Sequence, residues 1–157
     1  MRGYFHDHRR TLLGSGEQTF RRARAALRRW EMFSVGWVQL ISPDTPIECG
    51  RSVALLIRHF GFWSLNATRI VYVIEEDDSR ARRFGFGYGT LTDHAESGEE
   101  RFLIEWNKGT DQVWYDLSAF SRPKSLLAIL GLPLARYLQH RFGHDSASAM
   151  QRAVSQQ

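Results

Sequence analysis

The sequence has little cysteine, little lysine and no long apolar segment. Its single cysteine, Cys49, cannot form an internal disulfide and offers no zinc-ligand spacing. No run of about 18 apolar residues occurs, so no transmembrane segment is expected. The first ten residues lack the apolar core of a signal peptide. These absences predict a cytoplasmic protein, and no sequence motif indicates a cofactor.

Arginine supplies nearly all of the positive charge, because Lys108 and Lys124 are the only lysines. The net charge of +4 is modest for a chain of 157 residues. The densest basic group is Arg21, Arg22, Arg24, Arg28 and Arg29. It lies in a predicted amphipathic helix over 18–32. A phosphate- or membrane-binding face is one interpretation, but a solvated helix surface is favoured, and we do not expect a nucleic-acid partner.

Alternating apolar and polar residues predict about seven strands. The expected strands cover 3–13, 34–42, 51–60, 66–76, 83–91, 100–106 and 113–120, with the helix over 18–32 between the first two. Connections between the later strands are short, which is typical of an antiparallel sheet. After Pro123 the apolar residues recur at helical spacing, at Leu127, Leu130, Leu134 and Leu138. Pro133 divides this region into helices over 124–130 and 133–154. The prediction is a single α+β domain over 1–157.

A glycine repeat at 84–89 alternates strictly with aromatic residues. A phosphate-binding loop would need a helix directly after it, and a turn follows instead. Gly85, Gly87 and Gly89 are therefore interpreted as one bare face of a strand, where the sheet can bend or another element can approach closely.

The order of elements resembles the helix-grip fold of the START-like and polyketide cyclase-like superfamily. That resemblance implies a curved sheet around a long C-terminal helix, with a hydrophobic cavity between them. The chain is also similar to a family of uncharacterised bacterial and plant proteins, the domain of unknown function numbered nineteen-ninety. The matching segments are Gly3-Tyr4, His6-Asp7, 33–37, 65–72, 84–91, 98–102, 113–115, 120–123, Arg141-Phe142 and Asp145-Ser146. This family implies the fold and no established activity.

If the C-terminal helix packs on the sheet, one face of each strand points inward. The predicted cavity residues are Ile57, His59, Phe86, Tyr88, Phe102, Ile104, Trp106, Tyr115, Leu117, Arg122, Leu134 and Leu138. A hydrophobic small molecule, such as a lipid- or polyketide-like compound, is the expected partner. A solid core built from the same residues is the alternative. Arg122 is a candidate for an anionic ligand head at the cavity mouth.

Two further hypotheses concern chemistry. A cyclase- or hydrolase-like enzyme would use His59, Tyr88, Glu105 and Tyr115 as acid-base groups, although Glu105 is predicted on the outward face. His6 and His8 share one face of a strand, as two metal ligands would, but no third ligand is indicated, so no metal site is predicted. Ser121 is expected to cap the C-terminal helix, with Pro123 in its first turn.

Overall fold

The computed structural model describes residues 5–90, 96–123 and 132–156. Seven antiparallel strands form one sheet in the order β1-β7-β6-β5-β4-β3-β2, which curls around two helices. This architecture confirms the predicted fold class. The elements are β1 (Phe5–Ser15), α1 (Glu17–Arg28), a 3₁₀ turn (Glu31–Phe33), β2 (Val38–Leu40), β3 (Ser52–His59), β4 (Phe62–Asp77), β5 (Ala81–Thr90), β6 (Glu96–Asn107), β7 (Gln112–Pro123) and α2 (Leu132–Ser155).

The curl of the sheet depends on glycines whose missing side chains leave room on the convex face. A Cβ at Gly85 would collide with the carbonyl oxygen of Phe102 and lie 2.9 Å from the Cα of Leu103. At Gly87 it would collide with the ring of Tyr72, which crosses that position. The predicted close approach of a neighbouring element is therefore confirmed at both glycines.

The hydrophobic core fills one half of the concave face. The buried face of α1, centred on Phe20 and Leu27, packs there with Met150 and Val154 from the last turns of α2. Phe86, Phe102 and Ile104 meet them from the sheet and are completely buried. The first turns of α2 cross the other half of the concave face, where the packing leaves a cavity.

The predicted first helix ends earlier than its apolar stripe suggests. α1 stops at Arg28, and Trp30 adopts a left-handed conformation with φ of 61°. The Trp30 indole N–H donates to the carbonyl oxygen of Thr45 at 2.8 Å, which fixes this corner. The strand predicted over 34–42 shrinks to Val38–Leu40, because residues 34–37 form a bend that directs Trp37 toward α2.

The junction between sheet and C-terminal helix corrects the sequence prediction. β7 continues to Pro123, and Ser121 pairs with Phe5 on one side and Gly98 on the other, so Ser121 does not cap a helix. β6 already begins at Glu96, within the loop predicted over 93–98. Pairing of Ser121 with both neighbouring strands, and of Pro123 with Glu96 of β6, outweighs the local preference for a helix start. α2 confirms the predicted second helix, and the predicted helix over 124–130 lies outside the described residues.

Candidate functional site

A cavity of about 690 Å³ lies between the concave face of the sheet and the first half of α2. Phe33 and Phe142 stack with ring centroids 5.3 Å apart and form its floor toward the core. All seven strands contribute lining residues, and in β3, β4 and β7 these are two positions apart, because every second residue of a strand points to the same face. The apolar wall includes Trp37, Val38, Leu55, Ile57, Leu117, Ala119, Ala135 and Leu138.

Tyr88 and Glu100 form a buried polar pair on the sheet side of this cavity. They face each other as direct cross-strand partners on β5 and β6. The Tyr88 hydroxyl donates to the Glu100 carboxylate, with 2.7 Å between the oxygens. Burial raises the pKa of Glu100 to about 7, although the hydrogen bond from Tyr88 acts in the opposite direction. Burial and the neighbouring carboxylate also raise the pKa of Tyr88 well above its ordinary value.

Glu100 is the main residue that the sequence prediction missed. It shares its strand face with Phe102 and Ile104, two residues predicted to point inward, so alternation along β6 places its carboxylate in the cavity. Glu105 was the acidic residue named as an acid-base candidate, and it points to the opposite face of the strand. The structure places Glu105 on the convex face, where it contacts Arg10 at 2.9 Å and Arg83 at 2.7 Å. The alternation of side chains along β6 was therefore sufficient to predict that Glu100 faces the cavity.

A second polar group lies where β1 meets α2. Asp7 accepts a hydrogen bond from the Arg136 guanidinium at 2.8 Å. Gln139 donates to the Ser121 hydroxyl at 3.2 Å, while its own amide oxygen is buried without a hydrogen-bond partner among the described residues. Because a buried acceptor without a partner is costly, this oxygen is a position where a bound donor would be stabilised.

Four of the predicted cavity residues line the cavity: Ile57, Tyr88, Leu117 and Leu138. Four others face the concave side but are fully buried in the core: Phe86, Phe102, Ile104 and Tyr115. Their strand parity is as predicted, yet α1 and the second half of α2 fill the space in front of them. The Tyr115 hydroxyl is already paired with that of Ser146 at 2.9 Å.

The remaining predicted residues lie elsewhere. Trp106 packs beside Phe20 at the α1 end of the sheet, and its indole N–H donates to Asp111 at 3.0 Å. His59 ends β3 beyond the cavity wall, so it does not join Tyr88. Leu134 is 36% exposed on α2. The side chain of Arg122 lies outside the described part of the structure.

The two histidines of β1 do share a face, but it is the convex one. His6 pairs with the Ser118 hydroxyl at 3.0 Å and His8 with Asp116 at 2.9 Å. Within the described ranges, no cluster of three or more histidine, cysteine or acidic residues is arranged to hold a metal ion. These residues form part of a polar network that covers the outside of the sheet.

The arginine-rich face of α1 is occupied by contacts within the chain. Arg21 pairs with Glu17 at 2.9 Å, and Arg24 pairs with Glu75. Arg28 lies over the ring of Phe84, 4.7 Å from its centroid. Arg21, Arg24 and Arg28 are therefore engaged by residues of the chain itself. None of the helices described here is both long and apolar enough to cross a bilayer.

The fold is similar to that of START-like proteins of known structure. An aromatase/cyclase from Streptomyces sp. R1128 superposes with a TM-score of 0.66 at 11% identity, covering 98% of this chain and 94% of that one. A START superfamily protein from Mycobacterium smegmatis gives a TM-score of 0.59 at 14% identity, covering 98% and 97%. At these identities the likeness establishes the fold alone.

Sequence comparison identifies a narrower group. The chain belongs to the family described as domain of unknown function (DUF1990), whose model matches residues 2–149. A UPF0548 protein of Dictyostelium discoideum is 41% identical over 155 residues, covering 94% of this chain and 72% of that protein. One from Arabidopsis thaliana is 34% identical over 155 residues, covering 98% and 75%. The family resemblance predicted from the sequence motifs is therefore confirmed.

Proposed function

We propose that this protein binds a hydrophobic or amphipathic small molecule, of lipid or polyketide type, in the cavity between the sheet and α2. The observation that carries the proposal is a cavity of about 690 Å³ whose wall is apolar on one part and polar on another. The buried polar pair of Tyr88 and Glu100 lies on the sheet side. Further polar residues of the lining are Asp7, Arg9, Ser64, Asn66, Gln139 and His140. Ligand sites commonly have roughly 300–1,000 Å³ and few, convergent polar groups. The fold shared with an aromatase/cyclase and a START superfamily protein supports a ligand-binding role for this cavity.

The polar pair would determine the orientation of a bound ligand. An apolar chain would lie against Leu55, Ile57 and Leu117, because burying apolar surface there is favourable without any directional contact. A hydroxyl or protonated amine would sit at Glu100, whose carboxylate is an acceptor when it is ionised. Gln139 would accept from a second donor group of the ligand.

The proposal is tested by filling the cavity. Ala119 lines it, and Ala119→Phe would occupy space that a ligand needs. Ala54 lies in the same sheet with its side chain on the convex face, so Ala54→Phe is the matched control. Native mass spectrometry would detect a co-purified ligand, and 1-anilinonaphthalene-8-sulfonate fluorescence would report the apolar site.

We expect the parent and Ala54→Phe to bind the dye alike, and Ala119→Phe to bind it at least tenfold more weakly. Any ligand that co-purifies with the parent should also co-purify with Ala54→Phe and be absent from Ala119→Phe. Equal dye binding by Ala119→Phe and the parent, with both folded by circular dichroism, would contradict a ligand site in this cavity.

A proton-transfer enzyme is the second candidate, and Glu100 is the observation that favours it. A carboxyl group with a pKa of about 7, held against a tyrosine in an apolar cavity, suits general acid-base chemistry near neutral pH. The ligand extracted from the parent separates the two functions. A binding protein returns this molecule unchanged, whereas an enzyme converts it to a product that Glu100→Gln does not form.

A further inference from the structure

The turn between β3 and β4 exposes a group of large apolar side chains. Phe60, Phe62, Trp63 and Leu65 are 74%, 71%, 56% and 62% exposed. We name residues 60–65 the aromatic tip. Single exposed apolar residues are ordinary, but four within six residues at the end of one hairpin indicate an interaction site.

The backbone of the tip also adopts a conformation that phenylalanine disfavours. His59 and Phe62 are cross-strand partners, so Phe60 and Gly61 form a two-residue turn. Their φ angles are 47° and 80°, which correspond to the turn type that favours Asn-Gly. A phenylalanine in this region is a steric outlier, because its Cβ crowds the backbone. The sequence thus places an aromatic ring at the apex of the hairpin despite a conformational cost, as is typical of residues kept for function.

The charges along the hairpin have one sign. Residues 51–74 contain Arg51, Arg58 and Arg69 and no aspartate or glutamate. Arg58 is exposed and pairs across the hairpin with Trp63, directly beside the tip. The acidic residues 75–78 lie at the far end of β4, whose 16 residues span roughly 50 Å at about 3.3 Å each. The tip therefore complements a negatively charged surface.

We propose that the aromatic tip inserts into the interfacial region of an anionic lipid bilayer, with Arg58 at the phosphate groups. Tryptophan and phenylalanine are stabilised at the boundary between headgroups and acyl chains, and nearby basic residues add attraction to anionic lipid. Six residues at the end of a hairpin are far fewer than the 20–30 residues per side of a stable protein interface. A bilayer requires no such area, because it surrounds whatever enters it.

This attachment would place the cavity close to the membrane. Ser64 of the tip itself lines the cavity, as do Ile57 of β3 and Asn66 of β4 within a few residues of the tip. An amphipathic molecule would then have a short path between bilayer and protein. Membrane attachment itself does not depend on what the cavity holds.

Sedimentation with lipid vesicles tests the proposal. The full chain is mixed with vesicles of phosphatidylcholine alone or with 30% phosphatidylglycerol. We expect the parent to sediment with the anionic vesicles, and the Phe60→Ser/Trp63→Ser variant to lose at least tenfold in partitioning. Arg58→Gln should lose part of the binding and most of its salt dependence. Trp63→Phe should retain most of the binding.

The matched control is Phe120→Ser, which removes a half-exposed phenyl from the convex face, distant from the tip. It should sediment like the parent. Thermal unfolding and dye binding verify that each variant is folded and keeps its cavity. The proposal is overturned if the parent sediments with neither vesicle or if the tip variant binds as well as the parent. It is also overturned if the tip substitutions change only the oligomeric state, since the tip would then contact a second copy of the chain.

Discussion

Phe33 and Phe142 stack at 5.3 Å and separate the cavity from the solid core. Phe33 follows α1 in the 3₁₀ turn, whereas Phe142 is in the middle of α2, so two distant segments meet at one boundary. Phe33 also contacts Phe102, 5.4 Å away between ring centroids, and thereby joins this boundary to the sheet. The size of the cavity is therefore set by these rings as well as by the curvature of the sheet.

Phe142→Ala should enlarge the cavity toward the core. Fully buried Phe→Ala changes cost about 3–5 kcal/mol, and Phe142 is only partly buried, so we expect a loss of ~2 kcal/mol in the free energy of unfolding. Urea denaturation measures this loss. Longer acyl probes should bind more tightly to the variant, whereas unchanged probe selectivity would show that Phe142 does not limit the cavity.

The glycines of β5 should differ sharply in their tolerance of alanine. A Cβ at Gly85 meets the backbone of β6, which cannot move without disturbing the sheet, whereas at Gly89 the nearest atoms are 3.7 Å away. We expect Gly85→Ala to destabilise the protein by about 2 kcal/mol or more, as overpacking does. Gly89→Ala should change the stability by less than ~1 kcal/mol. Similar unfolding midpoints for the two variants would contradict this account of the curl.

The sequence was sufficient for the fold because the strand periodicity is regular. Phe84, Phe86 and Tyr88 alternate with glycines, and Phe102 and Ile104 continue the inward face on the next strand. The face of the strand on which a residue lies, however, does not show whether the residue lines the cavity or belongs to the core. Tyr88 and Phe86 have the same parity, but only Tyr88 lines the cavity, since the position of α1 and α2 decides which part of the face is covered.

The errors at element ends have a common cause. Ser121 and Pro123 have local preferences for a helix start, yet Ser121 pairs with both β1 and β6, and Pro123 pairs with β6, so both stay in a strand. Trp30 completes a helical stripe, yet its bond to Thr45 ends the helix before it. In each case a contact between residues distant in sequence outweighed a local preference of less than a few kcal/mol.

Phe60→Asn should stabilise the fold while weakening membrane attachment. Asparagine followed by Gly61 suits a two-residue turn in which both φ angles are positive, so the free energy of unfolding should rise by about 0.5–1 kcal/mol. The loss of one exposed ring should reduce sedimentation with anionic vesicles. Phe62→Asn is the matched control, because it removes a ring at an ordinary strand position without relieving strain. A Phe60→Asn variant no more stable than the parent would contradict the strained turn.

Glu100 should make the stability of the protein depend on pH near neutrality. Its pKa is raised by burial from about 4.5 to about 7, so the folded state holds a proton that the unfolded state has released. The contribution of this proton is complete below pH 4.5 and is lost as the pH rises through 7, where each tenfold change in proton affinity corresponds to about 1.4 kcal/mol. Glu100→Gln keeps an acceptor for Tyr88 but cannot ionise. The variant should therefore gain about 3 kcal/mol relative to the parent between pH 4.5 and pH 8, measured by urea denaturation at each pH. Glu99→Gln, one residue earlier with its partner Tyr72 on the convex face, is the matched control for the substitution itself. A constant difference between Glu100→Gln and the parent over this range would mean that burial does not raise the pKa of Glu100, and would remove the support for acid-base chemistry in the cavity.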